Sequence, residues 1–212
     1  MFHVEQPLTP EEFFRLIPVS RETEQKLRLY ADLLVKWQAR INLVGPATLP
    51  DLWRRHMLDS AQLLPLLPPG PLLDLGSGAG FPGMVLAILR GDNETVHLVE
   101  ADSRKCAFLR EVARLTAAPA VIHNQRIETL SPFPVTAITA RALAPVASLL
   151  RLAAPFLGPG THCLFLKGEK WEDELTAAAK DWTMIVERIP SGSDPNGIIL
   201  RLREVHRGRD EG

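Results

Sequence analysis

The sequence predicts an α/β fold: a mostly parallel seven-stranded sheet whose last strand runs antiparallel, with a helical extension in front of it. Three observations predict it. From Leu72 onward, short apolar runs alternate with helix-period patterns, the sequence form of parallel strands and their crossover helices. The first run, Leu72-Leu-Asp-Leu75, leads into Gly76-Ser-Gly-Ala-Gly-Phe-Pro-Gly83 and then a second apolar run from Met84 to Leu89. A buried strand that stops in a glycine turn and feeds a helix reads in this way. At the far end, Met184 to Ile189 and Ile198 to Arg203 are extended runs joined only by Pro190-Ser-Gly-Ser-Asp-Pro-Asn-Gly197. That link is too short for a crossover helix, so the two runs pair antiparallel as a hairpin.

Taken in order, the elements have local reasons. Residues 1–68 read as helical. Thr9 caps a first helix, Pro10 takes its first position and Glu12 completes a capping box. Ser20 caps a longer helix in which Leu27, Tyr30, Leu34 and Trp37 form one apolar stripe, so Trp37 is expected in the core and not as a base-stacking platform. The segment Leu52-Trp-Arg-Arg-His-Met-Leu-Asp-Ser60 follows, basic and then acidic, and Pro65, Pro68, Pro69, Gly70 and Pro71 break the chain before the sheet. Strands are expected near 72–76, 95–100, 120–124, 135–140 and 161–166, with helices near 82–90, 103–117, 145–155 and 169–180. Residues 1–68 thus form a helical cap on the substrate side, 69–206 the ligand-binding domain and 207–212 a frayed tail.

Composition narrows the class. A chain of 212 residues, 46% hydrophobic, buries one substantial core. The net charge of −1 gives no overall field for nucleic acid, so any such contact comes from local patches; Arg54, Arg55, Arg104, Lys105, Arg141 and Lys167 are the candidate basic rim. Cys106 and Cys163 sit apart in apolar surroundings, as core residues in a reducing compartment. With no secretory signal in view and no apolar run near the about 20 residues of a membrane helix, a cytoplasmic monomer without a membrane partner is expected.

The glycine turn is the ligand site, because carboxyl ends of parallel strands are where open α/β sheets bind their ligands and glycine lets backbone approach closely. Gly78-Ala-Gly-Phe-Pro-Gly83 also fits G-x-G-x-x-G, the dinucleotide fingerprint, a weak match alone. Asp74 at the strand end would repel a pyrophosphate, whereas the sulfonium and α-ammonium of S-adenosylmethionine suit a carboxylate. Glu100 ends the second strand 24 positions after Gly76, where an acid accepts from ribose hydroxyls, a feature common to both ligands. Asp102 caps the next helix and lines the adenine pocket, and Arg126-Ile-Glu128 falls where a loop would pass the adenine. Arg141, ending the fourth strand, holds the cofactor's carboxylate or a substrate phosphate, or forms a structural ion pair. Lys167 ends the fifth strand and touches RNA phosphate or is simply solvated. The chain lacks an Asn-Pro-Pro-aromatic tetrapeptide, a Pro-Cys nucleophile, HExxH and paired CxxC motifs, so no metal is expected.

These motifs converge on a resemblance. A parallel sheet closed by one reversed strand is the Rossmann-like arrangement of class I S-adenosylmethionine-dependent methyltransferases. Tyr30-Ala-Asp-Leu-Leu-Val-Lys-Trp37, Ile41-Asn-Leu43, Arg55-His-Met-Leu-Asp-Ser60, the glycine turn, Glu100-Ala-Asp-Ser-Arg-Lys105, Arg126-Ile-Glu128, Thr139-Ala-Arg-Ala142 and Leu166-Lys-Gly168 resemble the bacterial RsmG/GidB family of small-subunit rRNA guanine-N(7) methyltransferases. The resemblance implies methyl transfer from S-adenosylmethionine to N(7) of a guanine in 16S rRNA of the small ribosomal subunit, in the loop near the decoding centre. It implies cofactor contacts at Gly76, Phe81, Glu100, Ala101, Asp102, Ile127, Glu128 and Arg141; Asp74 and Gly78 join them from the reading of the turn itself. Gln38 and Val44 depart from the family, which often has Asn and Thr there. N(7) carries a lone pair and no proton, so attack needs no general base. Arg55, His56 and Asp59 then pack the cap over the cofactor, contact RNA or form a hydrogen-bonded core pair. The rival readings are a NAD-dependent oxidoreductase, a non-catalytic RNA-binding or assembly factor, and a small-molecule methyltransferase.

Overall fold

The computed structural model describes residues 6–91 and 94–208. Helix α1 (Pro10–Leu16) starts in the expected capping box, with Thr9 Oγ1 accepting from Glu12 N and Glu12 Oε2 accepting from Thr9 N. Helix α2 (Arg21–Gln38) starts on Ser20 and buries Leu27, Tyr30 and Leu34; Trp37 packs against Phe108 at the edge of the same core. A 3-10 stretch (Pro46–Asp51), a π-helical turn (Trp53–Leu58) and the short α3 (Asp59–Ala61) follow.

Strand β1 (Leu72–Leu75), β2 (Val96–Glu100), β3 (Ala120–Asn124), β4 (Ala137–Arg141), β5 (His162–Lys167), β6 (Trp182–Pro190) and β7 (Ile198–Arg207) form one sheet in the order β3-β2-β1-β4-β5-β7-β6. β7 lies between β5 and β6 and is antiparallel to both, so the expected hairpin supplies the reversed strand. It also runs further than expected. His206 and Arg207 pair with Thr183 and Trp182, so the strand takes Arg207, assigned above to the tail, and 209–212 lie outside the described residues. The crossover helices are α4 (Gly83–Arg90), α5 (Ser103–Thr116), α6 (Val146–Ala153) and α7 (Trp171–Ala178).

One apolar core lies on each face of the sheet. Leu73, Leu75, Ile138 and Phe165 pack with Leu149 and Leu150 of α6 and Leu175 of α7. On the other face Leu72, Val96, Leu98 and Leu164 pack with α4, α5 and, in the same cluster, Phe13, Leu27, Leu34, Met57 and Leu63 of the helical extension. The extension therefore shares its core with the sheet. Strand order reverses at β1 and β4, and the carboxyl ends of β1, β2 and β4 open there into the crevice where such sheets bind ligands. Among the described residues no helix is long and apolar enough to cross a membrane.

Candidate active site

Asp74 does not reach the crevice. It is fully buried under the glycine turn, where it accepts from Gly83 N (3.2 Å) and Thr139 Oγ1 (2.7 Å). This corrects its expected role as a cofactor contact. In a fully buried strand both faces are apolar, and alternation cannot tell which way one acid points. Its chemistry still bears on the ligand. A helix N-terminus is a ready anion site, and here that of α4 is stopped by a carboxylate from below. Burial pushes the Asp74 carboxyl up to about 6, partly offset by those hydrogen bonds.

Several of the turn's other amides are also engaged: Ser77 N with Val99 O, Gly80 N with Ser77 O, and Gly78 N with Glu100 Oε2 at 2.9 Å. A dinucleotide's pyrophosphate would need such amides free. Glu100 accepts a second bond from Asp102 N at 2.8 Å. A carboxylate has about four acceptor sites, so Glu100 keeps capacity for two hydroxyls. It lines a cavity of about 450 Å³ with Gly76, Gly78, Phe81, Ala101, Ile127 and Glu128, and with Lys105, Arg126 and Arg141. The volume lies in the range of small-molecule sites, ~300–1,000 Å³. Carboxylates and cations on one wall set fit a ligand that carries ribose hydroxyls, an amino-acid carboxylate and positive charge. Asp102, in contrast, stays out of the lining: it caps α5 by accepting from Arg104 N and Lys105 N, and pairs with Arg104.

A second cavity of about 580 Å³ adjoins the first; Leu43, Val44, Arg141 and Ala142 line both. Arg55, His56, Asp59 and Lys167 line the second. The π-helical turn explains how the first three meet β4. Asp59 N reaches back to Arg54 O, and the carbonyl of Arg55 accepts from Arg141 Nη1 at 2.9 Å. The same Nη1 lies 3.3 Å from Asp59 Oδ2, and Arg141 Nη2 donates to His56 Nδ1 at 2.9 Å. His56 Nδ1 is thus an acceptor, so the ring proton sits on Nε2, facing Thr48 Oγ1 at 2.7 Å. Burial, then the Arg141 and Arg55 cations, press the His56 imidazole down to about 3. His56 is neutral with its basic nitrogen occupied, so it is no general base in this state. It stacks on Phe81, over whose ring the Arg141 guanidinium also lies.

The expected basic rim is mostly neutralised. Arg55 pairs with Asp194 (2.9 Å), Arg141 with Asp59, Lys167 with Glu174 (2.6 Å), Arg104 with Asp102 and Arg54 with Asp51. Lys167 also donates to Ala144 O, so it is neither simply solvated nor an open phosphate contact. Arg141, similarly, has both amino nitrogens committed to the cap and not to an open bidentate site. Sequence reasoning missed Tyr30, whose hydroxyl donates to Ala79 O of the turn at 2.5 Å from inside the core, and the Leu43–Val44 wall. Tyr30 left a trace as the polar-tipped member of the α2 stripe; Leu43 and Val44 left one only through the family resemblance, as the end of Ile41-Asn-Leu43 and as a departure beside it.

A reversed seventh strand, a glycine turn at the carboxyl end of β1 over a buried carboxylate and a ribose-competent acid at the end of β2 define a class I S-adenosylmethionine-dependent methyltransferase. Its fold is similar to that of an O-methyltransferase from Bacillus cereus solved in complex with SAH, with a TM-score of 0.57 and 12% identity over 94% of this chain and 98% of that one. Within that class, the chain belongs to the GidB family, rRNA small subunit methyltransferase G, whose model matches residues 23–196. Relatives carrying the name ribosomal RNA small subunit methyltransferase G include one from Paramagnetospirillum magneticum, 62% identical over 94% of this chain and 98% of its own length. Another, from Rhodospirillum rubrum, is 60% identical over 94% of this chain and all of its own length.

Proposed function

We propose that the protein methylates 16S rRNA with S-adenosylmethionine, at N(7) of a guanine in the loop near the decoding centre, acting as a cytoplasmic monomer on the small ribosomal subunit. One observation carries the reading: a cavity whose lining suits the cofactor adjoins a second cavity, with Leu43, Val44, Arg141 and Ala142 common to both, so that a bound cofactor and an acceptor base would be neighbours. In this reading Gly76, Gly78, Phe81, Glu100, Ala101, Ile127 and Glu128 hold the cofactor, and the helical extension, described from residue 6 to 68, forms the cap over the acceptor. The cofactor supplies an electrophilic methyl group.

The chain's own residues do the rest by orientation. An attacking N(7) lone pair asks for no base, which agrees with a neutral His56 whose acceptor nitrogen is already used. Methylation transfers positive charge to the guanine ring. Ion pairs at Arg141–Asp59, Arg55–Asp194 and Lys167–Glu174 leave the acceptor walls electrically balanced, so that charge meets little repulsion. The same balance suits an uncharged base better than a phosphate.

The test is incubation with labelled S-adenosylmethionine and either small subunits or protein-free 16S rRNA, followed by nucleotide-resolution mapping of 7-methylguanosine. Label at one guanine is the expected result. Subunits bound but unlabelled would point to an assembly factor and overturn the reading.

A further inference from the structure

We propose that Gln38 is a positioning residue for methyl transfer, whose side-chain amide sets the wall between the cofactor cavity and the acceptor cavity. The proposal rests on the reading that the second cavity takes the acceptor base.

Gln38 is the last residue of α2. Beyond it the 42–44 strap has neither helical nor strand geometry, yet Leu43 and Val44 are each only 7% exposed. Buried backbone of that kind must find partners outside a ladder. One side chain provides them. Gln38 Oε1 accepts from Leu43 N at 2.9 Å and Val44 N at 3.0 Å, while Nε2 donates to Val44 O at 2.9 Å and to Asn42 Oδ1 at 3.4 Å. Leu43 and Val44 line both cavities, and Gln38 lines neither. Past the strap, Gly45 O accepts from Thr48 Oγ1, which faces His56 Nε2, and His56 accepts from Arg141, the other side of the shared wall. The wall is therefore fixed from behind by Gln38 and from across by the His56–Arg141 pair. A shift of the strap alters both cavities at once.

Two variants test this. Gln38→Met keeps the length of the side chain and removes its hydrogen bonds. Gln38→Glu keeps an acceptor for the two N–H groups but, when ionised, sets a second oxygen against Val44 O; protonation restores a donor there. Calorimetry with S-adenosylhomocysteine is expected to show about tenfold weaker binding by Gln38→Met, the worth of one net hydrogen bond, with a cooperative melt retained. Turnover on saturating small subunits should fall by a similar factor. For Gln38→Glu, affinity relative to wild type should recover as pH falls and be lost as pH rises through the new carboxyl's pKa, read at pH values where its cooperative melt lies well above the assay temperature so that the unfolded fraction does not contribute. Wild-type affinity in both variants at every pH, or a loss that only tracks the unfolded fraction, overturns the proposal. Should Gln38→Met not fold, the pH dependence of Gln38→Glu decides alone. The expected binding results without any rRNA methylation would uphold Gln38 as setting the cofactor wall and overturn its link to the acceptor.

Discussion

Asp74 and His56 are both buried titratable groups, and their effects on stability run in opposite directions. Asp74 has a folded pKa of about 6, above its ordinary value, so the fold prefers its neutral form. Its contribution is fully present below the ordinary carboxylate range and is lost as pH rises through about 6, a change on the order of 3 kcal/mol. His56 is depressed to about 3, so its contribution is present above the ordinary imidazole range and is lost as pH falls below it. Urea denaturation of wild type and Asp74→Asn across pH 4 to 8 separates them. The wild-type stability relative to the variant should decline up to about pH 6 and then level; a difference independent of pH would refute the Asp74 assignment. NMR titration should find the His56 ring unprotonated down to about pH 4.5, and a midpoint near 6.5 would contradict the closed Arg141–His56–Thr48 chain.

At the scale of elements, the glycine turn is held by α2 as much as by β1. Tyr30 reaches Ala79 O from the helix, and Tyr30→Phe leaves that carbonyl without its partner in a dry core. A loss of roughly 1–3 kcal/mol in chemical denaturation is expected, together with weaker binding of S-adenosylhomocysteine. Gly80 is more constrained. Its φ is +98°, and an added Cβ would lie 2.6 Å from Tyr30 Oη and 2.7 Å from Met84 Cβ. Gly80→Ala should therefore cost about 1–3 kcal/mol or more and abolish cofactor binding by calorimetry; a variant with wild-type affinity would show that the turn can relax. The capping box, the α2 stripe and the hairpin were legible because each is set by neighbours in sequence. The π-helical turn was not. Nothing in Trp53-Arg-Arg-His-Met-Leu58 asks for a widened turn, and its carbonyl finds a use only when Arg141 arrives from β4.

For the whole molecule, a core shared between the helical extension and the sheet predicts one unfolding event. Calorimetry should give a single peak, with fluorescence of Trp37 and Trp53 changing alongside the far-UV signal; separate transitions would mean the cap is an independent unit. The sequence by itself determined the strands, their crossovers, the reversed β7 and the position of Glu100 at a strand end, because hydrophobic period and turn residues are local properties. Of the residues it singled out, Gly76, Gly78, Phe81, Glu100, Ala101, Ile127, Glu128 and Arg141 line the crevice, while Asp74 and Asp102 do not. Only the tertiary structure decided what those side chains do. Asp74 faces down to cap α4, Arg141 is tied to the cap, and the cations of the rim meet acids such as Asp194 from segments far away in sequence. Direction and pairing depend on which distant groups the fold brings within a few ångströms, and no local pattern encodes that.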